Sequence, residues 1–229
     1  RRERKQRGTC MRSLVIGASG GIGAALMDRL SRRGEVLGIS RSHDGLDLTD
    51  EASIVRVLAT ITAPIDTVIV ATGALEIAGY RPEKTLRVLT AEAMALQFAV
   101  NAIGPALVLK HALRLLPKDR PARFVVLSAR VGSIGDNALG GWYSYRAAKA
   151  ALNQLIHTAA IEIARSHREA VVVCLHPGTV ETRFTRDYSA GHSTVAPDTA
   201  AANLLAVLDG LTPADTGGFF DWAGVRIPW

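Results

Sequence analysis

Tyr145 and Lys149 are the side chains in this 229-residue chain whose types and spacing most directly suggest proton chemistry. The run from Trp142 to about Ser166 has almost no breakers, and Ala147, Ala148, Ala150, Ala151, Leu152, Leu155 and Ile156 favour helix. Residues four apart lie on one helix face, so the phenol and the ammonium project side by side. A free phenol titrates near ~10 and is a poor acid at neutral pH. A neighbouring ammonium favours the phenolate and draws that value toward the working range. The same pair on an arbitrary helix is surface decoration, so its meaning depends on what other elements bring to it.

The first of these is Ser13-Leu14-Val15-Ile16, an apolar run, followed by Gly17-Ala18-Ser19-Gly20-Gly21-Ile22-Gly23 and a helical pattern through Ala24, Ala25, Leu26 and Leu30. Strand, glycine turn and helix start together form a cradle for a pyrophosphate: glycines permit close backbone approach, and the helix start supplies N–H groups and a positive dipole end. The spacing is G-x-x-x-G-x-G through Gly17, Gly21 and Gly23, not the common G-x-G-x-x-G. Gly17, Ser19, Gly20, Gly21, Ile22 and Gly23 are the candidate contacts. A second strand, Glu35 to Ile39, ends at Ser40-Arg41-Ser42, where a dinucleotide fold selects its cofactor. Arg41 can pair with a 2′-phosphate, which favours NADP(H). Asp44 and Asp47 keep NAD(H) open. Asp47 is read at the end of a third strand, with Leu48 beside it, where its carboxylate can accept from an adenine amine. Asp50 is the expected N-cap of a helix from Glu51 to about Ile61.

Further along, Asp66 to Val70 reads as a strand ending in the small-residue turn Ala71-Thr72-Gly73-Ala74. A long helical run covers Thr90 to about Leu116, and Asn101, Gly104 and Pro105 within it point to a local kink or a functional need. Strand Arg123 to Leu127 ends at Ser128-Ala129, and strand Ala170 to Leu175 ends at His176-Pro177-Gly178-Thr179-Val180-Glu181-Thr182. Residues 183–197 read as a mobile lid that carries Phe184, Tyr188, Gly191 and His192; with Trp142 these point to a partly apolar substrate. A helix over Asp198 to Asp209 and a last strand over Gly217 to Asp221 complete the pattern. Strands alternating with helices give an α/β fold: a Rossmann-type doubly wound parallel sheet of about seven strands with helices on both faces. The features singled out above fall at strand carboxyl ends or on helices leading to them, where such sheets bind ligands.

The net charge of +6 is concentrated at the start: Arg1, Arg2, Arg4, Lys5 and Arg7 against Glu3 account for four of those charges and leave the rest at +2. Without aromatic interleaving or a binding motif beside it, residues 1–10 read as a disordered basic extension, not a nucleic-acid contact. Residues 11–229 read as one domain. Cys10 and Cys174 read as free thiols of a reducing compartment. No secretory signal and no membrane-spanning apolar stretch is read, so a cytoplasmic location is expected. No metal ligand set is assigned.

Taken together, these residues resemble the short-chain dehydrogenase/reductase family over Met11 to Trp229. Gly17, Gly21 and Gly23 match its glycine motif, Ala71-Thr72-Gly73 stands where Asn-Ala-Gly is usual, and Tyr145 and Lys149 match Tyr-x-x-x-Lys. Asn101 matches its structural and catalytic Asn, and Pro177-Gly178, with Val180 and Thr182, matches the segment that holds the nicotinamide end. The stretches 132–146 and 217–229 resemble the branch of the C-factor and sniffer-like carbonyl reductases. The resemblance implies NADP(H)-dependent interconversion of a carbonyl and an alcohol. Tyr145 is then the general acid/base, Lys149 tunes it and binds the nicotinamide ribose, and Asn101 holds a relay water. It also implies a homodimer or homotetramer. One position departs from the family: its catalytic Ser falls on Ala129. Ser128, one residue earlier, and Ser133, four beyond, are the available substitutes for orienting the substrate oxygen. This departure and the C-factor likeness motivate a rival reading, a dinucleotide-binding regulatory protein with little or no turnover.

Overall fold

The computed structural model describes residues 11–188 and 193–229. The expectations for residues 1–10, and for Gly191 and His192, lie outside these. Six strands form one all-parallel sheet in the order β2-β1-β3-β4-β5-β6. They are β1 (Met11–Ile16), β2 (Gly34–Ile39), β3 (Thr67–Val70), β4 (Ala122–Leu127), β5 (Ala170–His176) and β6 (Phe219–Asp221). Their side chains alternate between two cores. Leu14, Ile16, Val68, Val70, Phe124, Val126, Val172 and Cys174 enter one. Val15, Ile69, Val125, Leu127, Val171, Val173 and Leu175 enter the other. A period of two with both phases apolar is the mark of a sheet covered on both faces.

The helices supply the two covers. α1 (Gly21–Ser31) and α7 (Pro197–Gly210) lie on the second core; α3 (Glu51–Ala59), α5 (Gly104–Ala112) and α6 (Tyr143–Ile163) lie on the first. α2 (Arg41–Asp44) is a single turn, and α4 (Ala91–Phe98) leads toward α5. Asp50 caps α3 as expected, its side chain accepting from Ala52 N at 3.0 Å.

Among the described residues the sheet has six strands, not about seven. The strand expected to end at Asp47 is absent: Ser40 and α2 are followed by Gly45 at φ +69° and an irregular stretch to Asp50. Adjacent parallel strands need a crossover of roughly a dozen residues or more. The short path from Ile39 to Glu51 holds neither that crossover nor a further strand. Leu46 still fills the core at this edge.

The run from Ala91 to Leu115 is, by length and composition, one continuous apolar helix long enough to cross a membrane, contrary to the sequence reading. Its central residues pack against the sheet and α6, and it carries a fully buried Asn101, which suits the core of a folded domain better than lipid. The expected kink is a π-helical segment over Ala99–Ile103, with Asn101 at its middle. Gly104 follows because a Cβ there would come 2.7 Å from Leu48 O. Pro105 sits in the first turn of α5, where its missing N–H is tolerated.

Gly23 is the tightest point of the first turn, since a Cβ on it would lie 2.1 Å from Gly17 O. Gly23→Ala is therefore expected to destabilise the domain by about 1–3 kcal/mol, the usual cost of overpacking. A lowered urea midpoint at unchanged slope checks this; an unchanged midpoint would show that the turn can relax.

Candidate active site

β1 and β3 are sheet neighbours, and from them the chain runs to opposite edges, which leaves a crevice beyond their carboxyl ends. A cavity of about 500 Å³ occupies this place. It is lined by Ser19, Gly20, Gly21 and Ile22 at the start of α1, by Ala71, Thr72 and Gly73 after β3, and by Ser128 and Ala129 after β4. Tyr145 and Lys149 of α6 face it, as do His176, Pro177, Gly178, Val180 and Thr182 after β5 and Arg183, Phe184 and Thr185 beyond. The other expected residues stand behind or beside it. Gly17 and Gly23 form the turn itself, with Gly20 N donating to Gly17 O at 3.0 Å. Arg41 opens α2, beside the same turn, because Ile39 O accepts from both Gly17 N at 2.8 Å and Ala18 N at 3.0 Å. Asp47 holds Thr49 N and Oγ1 at 2.8 and 2.7 Å, and the Thr49 hydroxyl is the main cause of its lowered pKa. Leu48 packs against Gly104.

The start of α1 fits an anion. Gly20, its N-cap, offers no side-chain cap, and the first turn holds no acidic residue. Its unpaired N–H groups thus remain available beside the cavity, as a bound phosphate would require. Gly21 also leaves room that a Cβ would take from Thr182, 2.8 Å away.

Tyr145 and Lys149 are both buried, with the ammonium 5.8 Å from the centre of the phenol ring. Lys149 Nζ donates to Leu127 O at 3.0 Å, the last carbonyl of β4. The sequence led us to expect the ammonium to lower the phenol's pKa. Here burial dominates instead: it raises Tyr145 well above the ordinary range and lowers Lys149 to about 8. Desolvation penalises the charged form of each group, and for the phenol it outweighs any pull from the ammonium.

Asn101 is fully used. Its Oδ1 accepts from Ala74 N at 3.0 Å, and its Nδ2 donates to Ala74 O at 2.9 Å and Gln97 Oε1 at 2.6 Å. It pins the turn after β3, and a Cβ on Gly73 would lie 3.1 Å from its Oδ1 and 3.7 Å from Lys149 Nζ. The two substitute serines are also engaged. Ser128 Oγ donates to Asn153 Oδ1 at 2.6 Å, and Ser133 Oγ donates to Pro228 O at 2.5 Å. Ser128 lines the cavity and Ser133 does not.

Several contributors are not marked by any motif. Glu83 is buried and its carboxylate accepts from Ser144 N at 3.1 Å and from Ser144 Oγ, so a distant loop caps the helix that carries Tyr145. Trp142 packs edge-on to Tyr145 at 6.1 Å and to Tyr188 at 5.5 Å, and Phe184 lies 6.4 Å from Tyr145. Phe184 lines the cavity and Tyr188 a smaller one beside it, while Trp142 lines neither. Cys174 is a free buried thiol, which burial pushes up to about 12.

With this geometry in place, comparison with known proteins gives the class. The family model for enoyl-(acyl carrier protein) reductase matches residues 35–208. The chain belongs to the short-chain dehydrogenase/reductase family of oxidoreductases. It is 30% identical to 1-hydroxy-2-glutathionyl-2-methyl-3-butene dehydrogenase of Rhodococcus sp. (strain AD45), over 94% of this chain and 98% of that one. It is 35% identical to C-signal of Myxococcus xanthus, over 59% of this chain and 78% of that one. Its fold matches the NADPH-bound carbonyl reductase from chicken fatty liver with a TM-score of 0.81 at 23% identity, over 95% and 94% of the two chains.

The buried lysine makes stability depend on pH in a defined direction. Its pKa falls from 10.5 in the open chain to about 8 in the fold, so between these values the unfolded chain binds more protons. Lys149 therefore contributes more stability as pH rises through that window. Lys149→Met removes this term. The melting-temperature difference, variant minus native, is expected to fall between about pH 7 and about pH 10. A difference independent of pH would mean that Lys149 does not titrate in the window.

Proposed function

We propose that this chain is an NADP(H)-dependent reductase that interconverts a small-molecule carbonyl and its alcohol. The observation that carries this reading is the placement of Tyr145 and Lys149, buried on one face of α6, across a single cavity from the uncapped start of α1. In this reading the start of α1, with Ser19 to Ile22, holds the pyrophosphate. Arg41 meets a 2′-phosphate, Asp47 and Leu48 border the adenine, and the segment Pro177 to Thr182 borders the nicotinamide. When bound, NADPH supplies the hydride.

The rest follows from the chain's own residues. Burial keeps Tyr145 protonated, so its O–H is ready for an oxygen that gains negative charge; an alkoxide is basic enough to take that proton. Lys149 is held by Leu127 O and can lend charge to the phenolate formed after transfer. Asn101 holds the Gly73–Ala74 turn in place beside Lys149, the site from which a relay water would return the proton. Phe184 in the cavity wall, with Trp142 and Tyr188 packed beyond it, favours a partly apolar substrate. The long helical run Ala91–Leu115, around Asn101, and α6 supply the faces for a homodimer or homotetramer.

A second reading, a dinucleotide-binding regulatory protein with little turnover, is favoured by Ala129 and by the relative named C-signal. Turnover separates the two. Tyr145→Phe is expected to abolish NADPH consumption across a panel of aldehydes and ketones while leaving cofactor binding nearly intact, and full activity in the variant would remove Tyr145 from the mechanism. Native protein that binds NADPH and consumes none would establish the regulatory reading.

Cofactor choice has its own check. Arg41→Ala is expected to weaken NADPH binding by roughly tenfold or more, as loss of one charge-assisted contact does, and to leave NADH binding little changed. Nicotinamide fluorescence measures both. Equal effects on the two would move the selector away from Arg41.

A further inference from the structure

Ala129 removes a hydroxyl from the wall of the cavity, and neither nearby serine restores it. Ser128 gives its proton to Asn153 and Ser133 gives its own to Pro228. If the cavity holds a carbonyl oxygen beside Tyr145, a second donor must come from elsewhere on the same wall.

The wall continues into β5. Ser128 N donates to Leu175 O at 2.8 Å, which places the residue after Leu175 beside Ser128, one position before Ala129. That residue is His176, and it lines the cavity. Along β5, Cys174 enters the core under α6 and Leu175 the opposite one, so His176 returns to the α6 side, where Tyr145 lies. Its Nδ1 is enclosed with no hydrogen-bond partner among the described residues, while Nε2 is not so enclosed. His176 lines the cavity, and of its two ring nitrogens Nε2 is the one free to face it.

The charged groups facing the ring are Arg130 and Asp221, and they act in opposite directions. Burial dominates and lowers His176 to about 4, with Arg130 adding to the effect, so the imidazole is neutral at working pH. A neutral imidazole carries one N–H. A proton on Nδ1 would be buried without an acceptor, whereas on Nε2 it is not so enclosed, which favours the Nε2–H form.

We infer that His176 Nε2–H takes over the substrate-orienting role of the missing serine and donates, with Tyr145, to the carbonyl oxygen. Nothing covalent forms at His176; it holds its proton throughout, while the proton delivered to the product comes from Tyr145. The inference rests on the reductase reading above.

The experiment measures NADPH-dependent reduction of 4-nitrobenzaldehyde, or of the best carbonyl in the panel, with NADPH affinity measured separately by fluorescence. His176→Ala is expected to lower kcat by about 10²–10³, the usual effect of losing one such donor, at unchanged NADPH affinity. His176→Gln, which keeps an N–H donor, is expected to retain most of the activity. Adding Ala129→Ser to His176→Ala is expected to recover at least about tenfold of the lost kcat, an effect that a merely structural histidine would not give. The inference is overturned if His176→Ala retains native kcat, or if Ser128→Ala abolishes turnover and His176→Ala does not. In those cases the native enzyme still turns over and the reductase reading stands. Native protein that binds NADPH and reduces no carbonyl overturns both, through the reading on which the inference rests.

Discussion

The structure is organised around keeping an ammonium group dry. Lys149 lies at the carboxyl end of β4 with one bonded partner among the described residues, the carbonyl of Leu127. An ionised side chain in that setting pays a desolvation penalty that only a rigid surround can sustain. The surround is the middle of a parallel sheet, where β4 pairs with β5 over all six of its residues and with β3 over residues 123–126. Gly132 leaves room for α6 to approach, since a Cβ there would lie 2.8 Å from Lys149 Cβ. The phenol beside it inherits the same dryness. Tuning of both groups is thus a property of the sheet and of α6, not of a mobile loop.

Three connections converge on that helix. Glu83 takes the place of an N-cap that Trp142, in a left-handed conformation at φ 55°, does not provide. Asn153 binds Ser128 and so ties the middle of α6 to the end of β4. Arg146 donates to Gly141 O at 2.9 Å and Val131 O at 3.2 Å, closing the loop between β4 and α6. The first two join residues 61 and 25 apart in sequence, Arg146 reaches back 5 and 15, and each fixes a position within one or two turns of Tyr145 or Lys149.

This long-range character explains what could be read from the sequence and what could not. The glycine turn, the strand ends and the Tyr145–Lys149 spacing are local signals, and they locate the cavity and most of its lining. The kink at Asn101 was legible because Asn, Gly and Pro cluster where an apolar helix should be smooth. The third strand was misread because Asp47-Leu48-Thr49-Asp50 has the composition of a strand end, whereas the length of chain before it is what forbids the strand. Glu83 and Asn153 carry no motif, because their partners are 61 and 25 residues away. The serine question shows the same limit: spacing names Ser128 and Ser133 as hydroxyls near the site, but only coordinates show where their protons go.

The π-helical segment at Ala99–Ile103 has a consequence for how this region tolerates change in length. A π-bulge holds one residue more than the regular helix around it. Deleting that residue would leave an unbroken helix with its ladder intact, yet everything beyond would be turned by about 100°, one residue's rotation. Gly104 would then no longer meet Leu48, and the side of α5 that now faces the sheet would point elsewhere. A loss that local helix chemistry would welcome is therefore ruled out by the tertiary structure, and the number of residues between Thr90 and Leu116 is fixed as firmly as their identities.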